Sequence, residues 1–76
     1  MPSSEEIKAK LVSVLAGNDF LDSNGELVPV DSMVMALISM QIETHWGVQF
    51  PLQVENFESV DRIVALIGSL LRPTGS

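Results

Sequence analysis

The chain contains no cysteine and a single histidine. Neither a disulfide nor an ordinary zinc site is available, so a thin core must be held by apolar packing between regular elements. Basic residues are also few, four Lys and Arg against ten Asp and Glu, for a formal net charge of −6. Such a surface repels nucleic acid phosphates, so no nucleic acid partner is expected. It would steer towards basic patches on proteins. No apolar run reaches the roughly 20 residues of a membrane span. The opening Met-Pro-Ser-Ser-Glu-Glu lacks the basic and apolar regions of a signal peptide. An acidic cytoplasmic protein without a membrane span is therefore expected. Internal repeats and low-complexity stretches are absent.

What is present points to one folded domain over 1–76. Hydrophobic residues make up 46% and charged residues 18%, which favours folding over disorder. Ser3 precedes Glu6 by a capping-box spacing, and Ile7, Leu11, Val14 and Leu15 recur at helical intervals. This predicts a first helix over 4–16, with Gly17-Asn18 ending it in a left-handed conformation. Residues 19–30 form a long connection with Asp22-Ser23-Asn24-Gly25 as turn chemistry at its centre. Phe20, Leu21, Leu27 and Val28 should fold back onto the bundle. A loop of this length in a small domain is often functional.

A second helix is expected over 32–46, capped by Asp31 and stopped by Gly47. Val48-Gln49-Phe50-Pro51 should be extended, because proline restricts the residue before it. Residues 52–56 have room for one short helical turn. Ser59 is a plausible cap for a last helix whose stripe is Val60, Ile63, Val64, Ile67, Leu70 and Leu71, ended by Pro73. The fold class is all-α: a small antiparallel bundle of three to four helices, with a helical core over about 4–71, a long first loop and a tail over 72–76.

The second helix has an unusual surface. Val34, Met35, Ile38, Ile42 and Trp46 fall on one arc, wide enough to face a core. Met33, Ala36, Leu37 and Met40 fall on the opposite arc, interrupted by Glu43 and Thr44. One apolar face suffices for a helix of a small domain. The second face is either a docking surface or is covered by the long loop.

The stretch Val30-Asp31-Ser32-Met33, after a long loop and at the start of an apolar helix, resembles the attachment motif of the acyl carrier protein family, which includes peptidyl and aminoacyl carriers. Trp46-Gly47-Val48-Gln49-Phe50-Pro51 and Asn56-Phe57-Glu58-Ser59-Val60-Asp61-Arg62-Ile63 continue the resemblance in register, across about residues 5–71. The wording is most similar to free-standing carriers of specialised biosynthetic pathways. The resemblance implies that Ser32 receives 4′-phosphopantetheine, whose thiol holds an acyl or aminoacyl cargo as a thioester. It implies a phosphopantetheinyl transferase, a cargo-loading ligase or acyltransferase, and downstream biosynthetic enzymes as partners of a monomeric carrier. Asp31 could help the transferase bind metal, or act as an N-cap alone. The docking side would comprise Met33, Ala36, Leu37, Met40 and Glu43. Carriers serving fatty acid synthesis have several acidic residues there, and this chain has mainly Glu43.

Other readings are blander. On the Asp-Ser-apolar motif alone, Ser32 would be an ordinary first-turn residue. The chain would then be a non-covalent interaction module that uses its apolar helix face. No set of residues suggests an enzyme, and no metal site is expected. His45 near a helix end interacts favourably with the dipole by default. Trp46 falls on the core arc and reads as packing. Asp19, Asp22 and Glu26 do not have the spacing of a calcium-binding EF-hand loop and read as a solvated acidic loop.

Overall fold

A computed structural model describes residues 3–72. It contains three α-helices, α1 (Ser4–Gly17), α2 (Ser32–Trp46) and α3 (Val60–Leu71), with a 3-10 turn at Val54–Phe57. No strand occurs among the described residues; Leu21 and Leu27 form one isolated antiparallel bridge. The all-α expectation holds, and the short helical turn expected over 52–56 is the 3-10 turn at Val54–Phe57. The expected tail lies, from residue 73 onwards, outside the described residues.

Each helix begins as its sequence signals. Ser3 Oγ accepts from Glu6 N at 3.2 Å, Asp31 Oδ1 from Val34 N at 2.9 Å, and Ser59 Oγ from Arg62 N at 3.1 Å. These bonds satisfy N–H groups that have no carbonyl one turn back. The end of α1 differs from expectation. The left-handed residue is Asp19, with φ 62°, whereas Asn18 has φ −108°. Phe20 N donates to Leu15 O at 2.9 Å and Asp19 N to Ala16 O at 3.3 Å. This is a Schellman arrangement displaced by one residue, and it turns Phe20 back onto the core. Gly47 ends α2 as expected, at φ 70°, its N–H donating to Glu43 O at 2.8 Å.

The core is apolar throughout: Ile7, Leu11 and Leu15 of α1, Ile38 and Ile42 of α2, Ile63, Val64 and Ile67 of α3, with Phe50 and Phe57. No polar or charged residue is buried among them. Phe50 and Phe57 meet edge to face, with centroids 5.1 Å apart. Ser39 Oγ donates to Phe50 O at 3.1 Å and so ties the segment after α2 back to that helix. Leu70, expected on the α3 core stripe, is instead 37% exposed, and Leu66 packs on the core. Leu71, the last residue of the helix, still packs against the core, so Leu70 alone of the stripe turns outward.

The long loop is ordered by a hairpin. Asp22 N donates to Glu26 O at 2.7 Å and Gly25 N to Asp22 O at 3.0 Å. Gly25 is left-handed at φ 77°, as a three-residue hairpin loop requires. Asp22 Oδ1 accepts from Asn24 N and Glu26 N at 2.9 and 3.0 Å. Phe20, Leu21 and Leu27 pack against the core as expected, with Val30 rather than Val28 as the fourth residue, so the loop returns the chain to the start of α2 along a fixed path.

Candidate functional site

Ser32 is the first residue of α2 and is exposed. Its hydroxyl has no hydrogen bond among the described residues. Asp31 is spent on the cap: its Oδ1 holds Val34 N, and its backbone oxygen accepts from Met35 N at 2.9 Å. The N–H groups of Ser32 and Met33 have no carbonyl one turn back, and they lie at the positive end of the helix dipole. The site therefore offers an accessible hydroxyl beside backbone donors that favour an anion. A phosphodiester on Ser32 suits this donor set. The neighbouring Asp31 carboxylate opposes an anion here, and the Val34 N–H that it accepts offsets part of that charge.

The two arcs of α2 separate as the sequence implies. Ile38 and Ile42 are fully buried, with Val34, Met35 and Trp46 half-buried against the core. Met33 is 71%, Met40 55% and Leu37 40% exposed, and Ala36 is exposed as well. The loop does not cover this face. Glu43 is also exposed, and Thr44 Oγ1 donates to Met40 O at 2.9 Å, turning its hydroxyl back onto the helix. An apolar strip with one carboxylate towards its far end thus runs away from Ser32.

Two exposed apolar residues carried no signal in the sequence: Leu52, ahead of the 3-10 turn, and Val54, its first residue. They lie in a stretch without helical periodicity, so no pattern marked them. A groove of about 370 Å³ lies between α1, the loop hairpin and the start of α3, and includes Lys8, Glu26, Glu58 and Asp61. It takes in none of the residues around Ser32. The Lys8–Asp61 ion pair at 2.9 Å spans it, with both side chains largely exposed.

The remaining sequence candidates have structural roles. Lys10 Nζ donates to His45 O at 3.1 Å and sits 5.1 Å from the Trp46 ring centroid, which fastens the end of α2 to α1. The Asp22 carboxylate is occupied by backbone N–H groups, and no cluster of metal-ligating side chains occurs among the described residues. No helix among them is long and apolar enough to cross a membrane. Compared with known proteins, the chain matches no family model, no curated protein and no solved structure.

Proposed function

We propose that this chain is a carrier of the acyl carrier protein type, with 4′-phosphopantetheine attached to Ser32. The observation that carries the reading is positional. The serine of the Asp31-Ser32-Met33 motif is an exposed first-turn residue, reached through an ordered loop, and an uncovered apolar helix face leads away from it. The prosthetic group would supply a thiol, which a chain without cysteine lacks, and would hold an acyl or aminoacyl cargo as a thioester. Ser32 would supply the attachment oxygen, and the N–H groups of Ser32 and Met33 would favour the phosphodiester charge. Asp31 would fix the start of the helix. The chain itself would do no catalysis. Tethering keeps the cargo concentrated near a docked enzyme.

Met33, Ala36, Leu37, Met40 and Glu43 would form the docking side for a phosphopantetheinyl transferase, a loading ligase or acyltransferase, and later enzymes. One carboxylate on this strip argues for a specialised pathway over general fatty acid synthesis. The antiparallel arrangement typical of such carriers and a cytoplasmic, monomeric protein belong to the same reading. The exposed strip also favours one alternative, a module that binds partners through that face without any modification.

Incubation with coenzyme A and a broad-specificity phosphopantetheinyl transferase separates the two. Intact mass should rise by a single phosphopantetheine, located on the peptide containing Ser32. Ser32→Ala should remain folded and unmodified. Modification persisting in that variant would refute the assignment, and an unmodified wild-type chain would favour the non-covalent module.

A further inference from the structure

The loop hairpin also bears chemistry that the carrier reading does not use. The chain has three asparagines, Asn18, Asn24 and Asn56. Two have their carboxamides engaged. Asn18 Nδ2 donates to Val14 O at 2.8 Å, at the capped end of α1, and Asp19 follows it. Asn56 Nδ2 donates to Pro51 O at 3.3 Å, inside the 3-10 turn, and the buried Phe57 follows it. Asn24 differs on each count. It is exposed at the hairpin tip, its carboxamide has no hydrogen bond among the described residues, and Gly25 follows it. Nothing lies within 4 Å of the position that a Gly25 Cβ would occupy, so that side of the peptide is open.

We propose that Asn24 is a site of spontaneous modification, at which the Gly25 backbone nitrogen displaces the carboxamide nitrogen as ammonia and leaves aspartate and isoaspartate. Solvent base removes the Gly25 N–H proton. The nitrogen then forms a bond to Asn24 Cγ, and the Cγ–Nδ2 bond breaks as the leaving nitrogen takes up a proton. The product is a five-membered succinimide. Water opens it at Cγ to give aspartate, or at the backbone carbonyl to give isoaspartate, with the chain routed through Cβ and Cγ. No oxidant or metal is needed. A glycine nitrogen suits this attack because no side chain crowds it.

The fold slows the reaction through the contacts that Asp22 makes at the hairpin tip. Gly25 N donates to Asp22 O, and that bond must open before the nitrogen can attack. The tip is held mainly through Asp22, whose carboxylate accepts from Asn24 N and Glu26 N. All these groups are at the surface, where local opening needs far less free energy than global unfolding. Either product adds one negative charge to a chain already at −6. Isoaspartate also lengthens the backbone by one carbon, which disrupts the hairpin register in the loop leading to Asp31.

The test is incubation of the full chain in warm, mildly alkaline buffer. Intact mass follows the amide-to-acid change, fragmentation locates it, and isoaspartyl methyltransferase labelling reports isoaspartate. In the folded wild-type chain, Asn24 should react several-fold faster than Asn18 or Asn56. Asn24→Gln should remove the signal, since glutamine would have to close a larger ring. Asp22→Ala, checked by far-UV circular dichroism, should accelerate loss at Asn24 several-fold without changing Asn18 or Asn56. Equal rates at all three asparagines of the wild type, or no loss at Asn24, would overturn the proposal. An unchanged Asn24 rate in folded Asp22→Ala would overturn the opening step.

Discussion

Truncating adjacent residues of α2 tests which face of the helix supports the fold. Ile38 is fully buried, so Ile38→Ala removes transfer free energy and leaves a cavity within the buried core cluster. Such changes cost about 2–5 kcal/mol. Leu37, one residue away, is 40% exposed. At about 0.8 kcal/mol per buried methylene, scaled for that exposure, Leu37→Ala should cost roughly 1–1.5 kcal/mol. Alanine's better helix propensity offsets a little of it. A chain of 76 residues has a total stability of about 4–11 kcal/mol. Urea unfolding, with a slope of about 1 kcal/mol per molar for a domain this small, should lower the midpoint by at least about 2 M for Ile38→Ala. The shift for Leu37→Ala should be about 1–1.5 M. Should Ile38→Ala unfold without denaturant, Ile38→Val, at about 0.5–1.5 kcal/mol, keeps a core reading measurable. Equal midpoint shifts for the two alanine variants would show that α2 does not present these faces.

Three further outcomes follow from named contacts. Gly47→Ala should cost about 1–2 kcal/mol by thermal unfolding, purely from its φ of 70°, because nothing lies within 4 Å of the added Cβ. Asp31→Ala should lose about 0.5–2 kcal/mol of cap stability while Asp31→Asn loses little, and slower transferase modification of Asp31→Asn alone would assign Asp31 a role beyond the cap. On phosphopantetheinylated protein, Leu37→Asp or Met40→Asp should slow cargo loading much more than Glu43→Gln, at low and moderate salt alike; a dominant, salt-sensitive loss from Glu43→Gln would make docking ionic.

The three helices were legible because each carries an N-cap at its start and periodic aliphatic residues after it. Ser3, Asp31 and Ser59 all cap as their spacing implies. The Glu6 carboxylate departs from the usual box, since it accepts from Ser3 Oγ at 3.3 Å. The end of α1 was misread because Gly17-Asn18 satisfies the local rule for a left-handed residue. The deciding fact is tertiary: placing the turn at Asp19 lets Phe20 pack on the core. Leu70 was misread for a related reason. Periodicity reports which residues share a face, not how much of that face the rest of the chain covers. The exposure of Ser32 could be expected from its first-turn position. The open state of Leu37 and Met40 could not, because it depends on where the loop goes, and the bridge between Leu21 and Leu27 was not visible in the pattern.

An unusual property of α2 raises a question about folding specificity. Both of its faces are apolar, so burial alone discriminates poorly between the observed rotation and one that turns Met33, Leu37 and Met40 inward. Aliphatic shape helps, since branched Ile38 and Ile42 have few rotamers, whereas methionine is flexible and specifies a core weakly. Polar contacts add direction. Ser39 Oγ reaches Phe50 O from the middle of the helix, and Lys10 holds His45 O and the Trp46 ring at its end. Rolling the helix would break both, in a chain with few other side-chain contacts to replace them. Each is worth only about 1 kcal/mol. Acting at separate points along α2, they fix a rotation that hydrophobicity leaves under-determined, and so determine which apolar face stays outside beside Ser32.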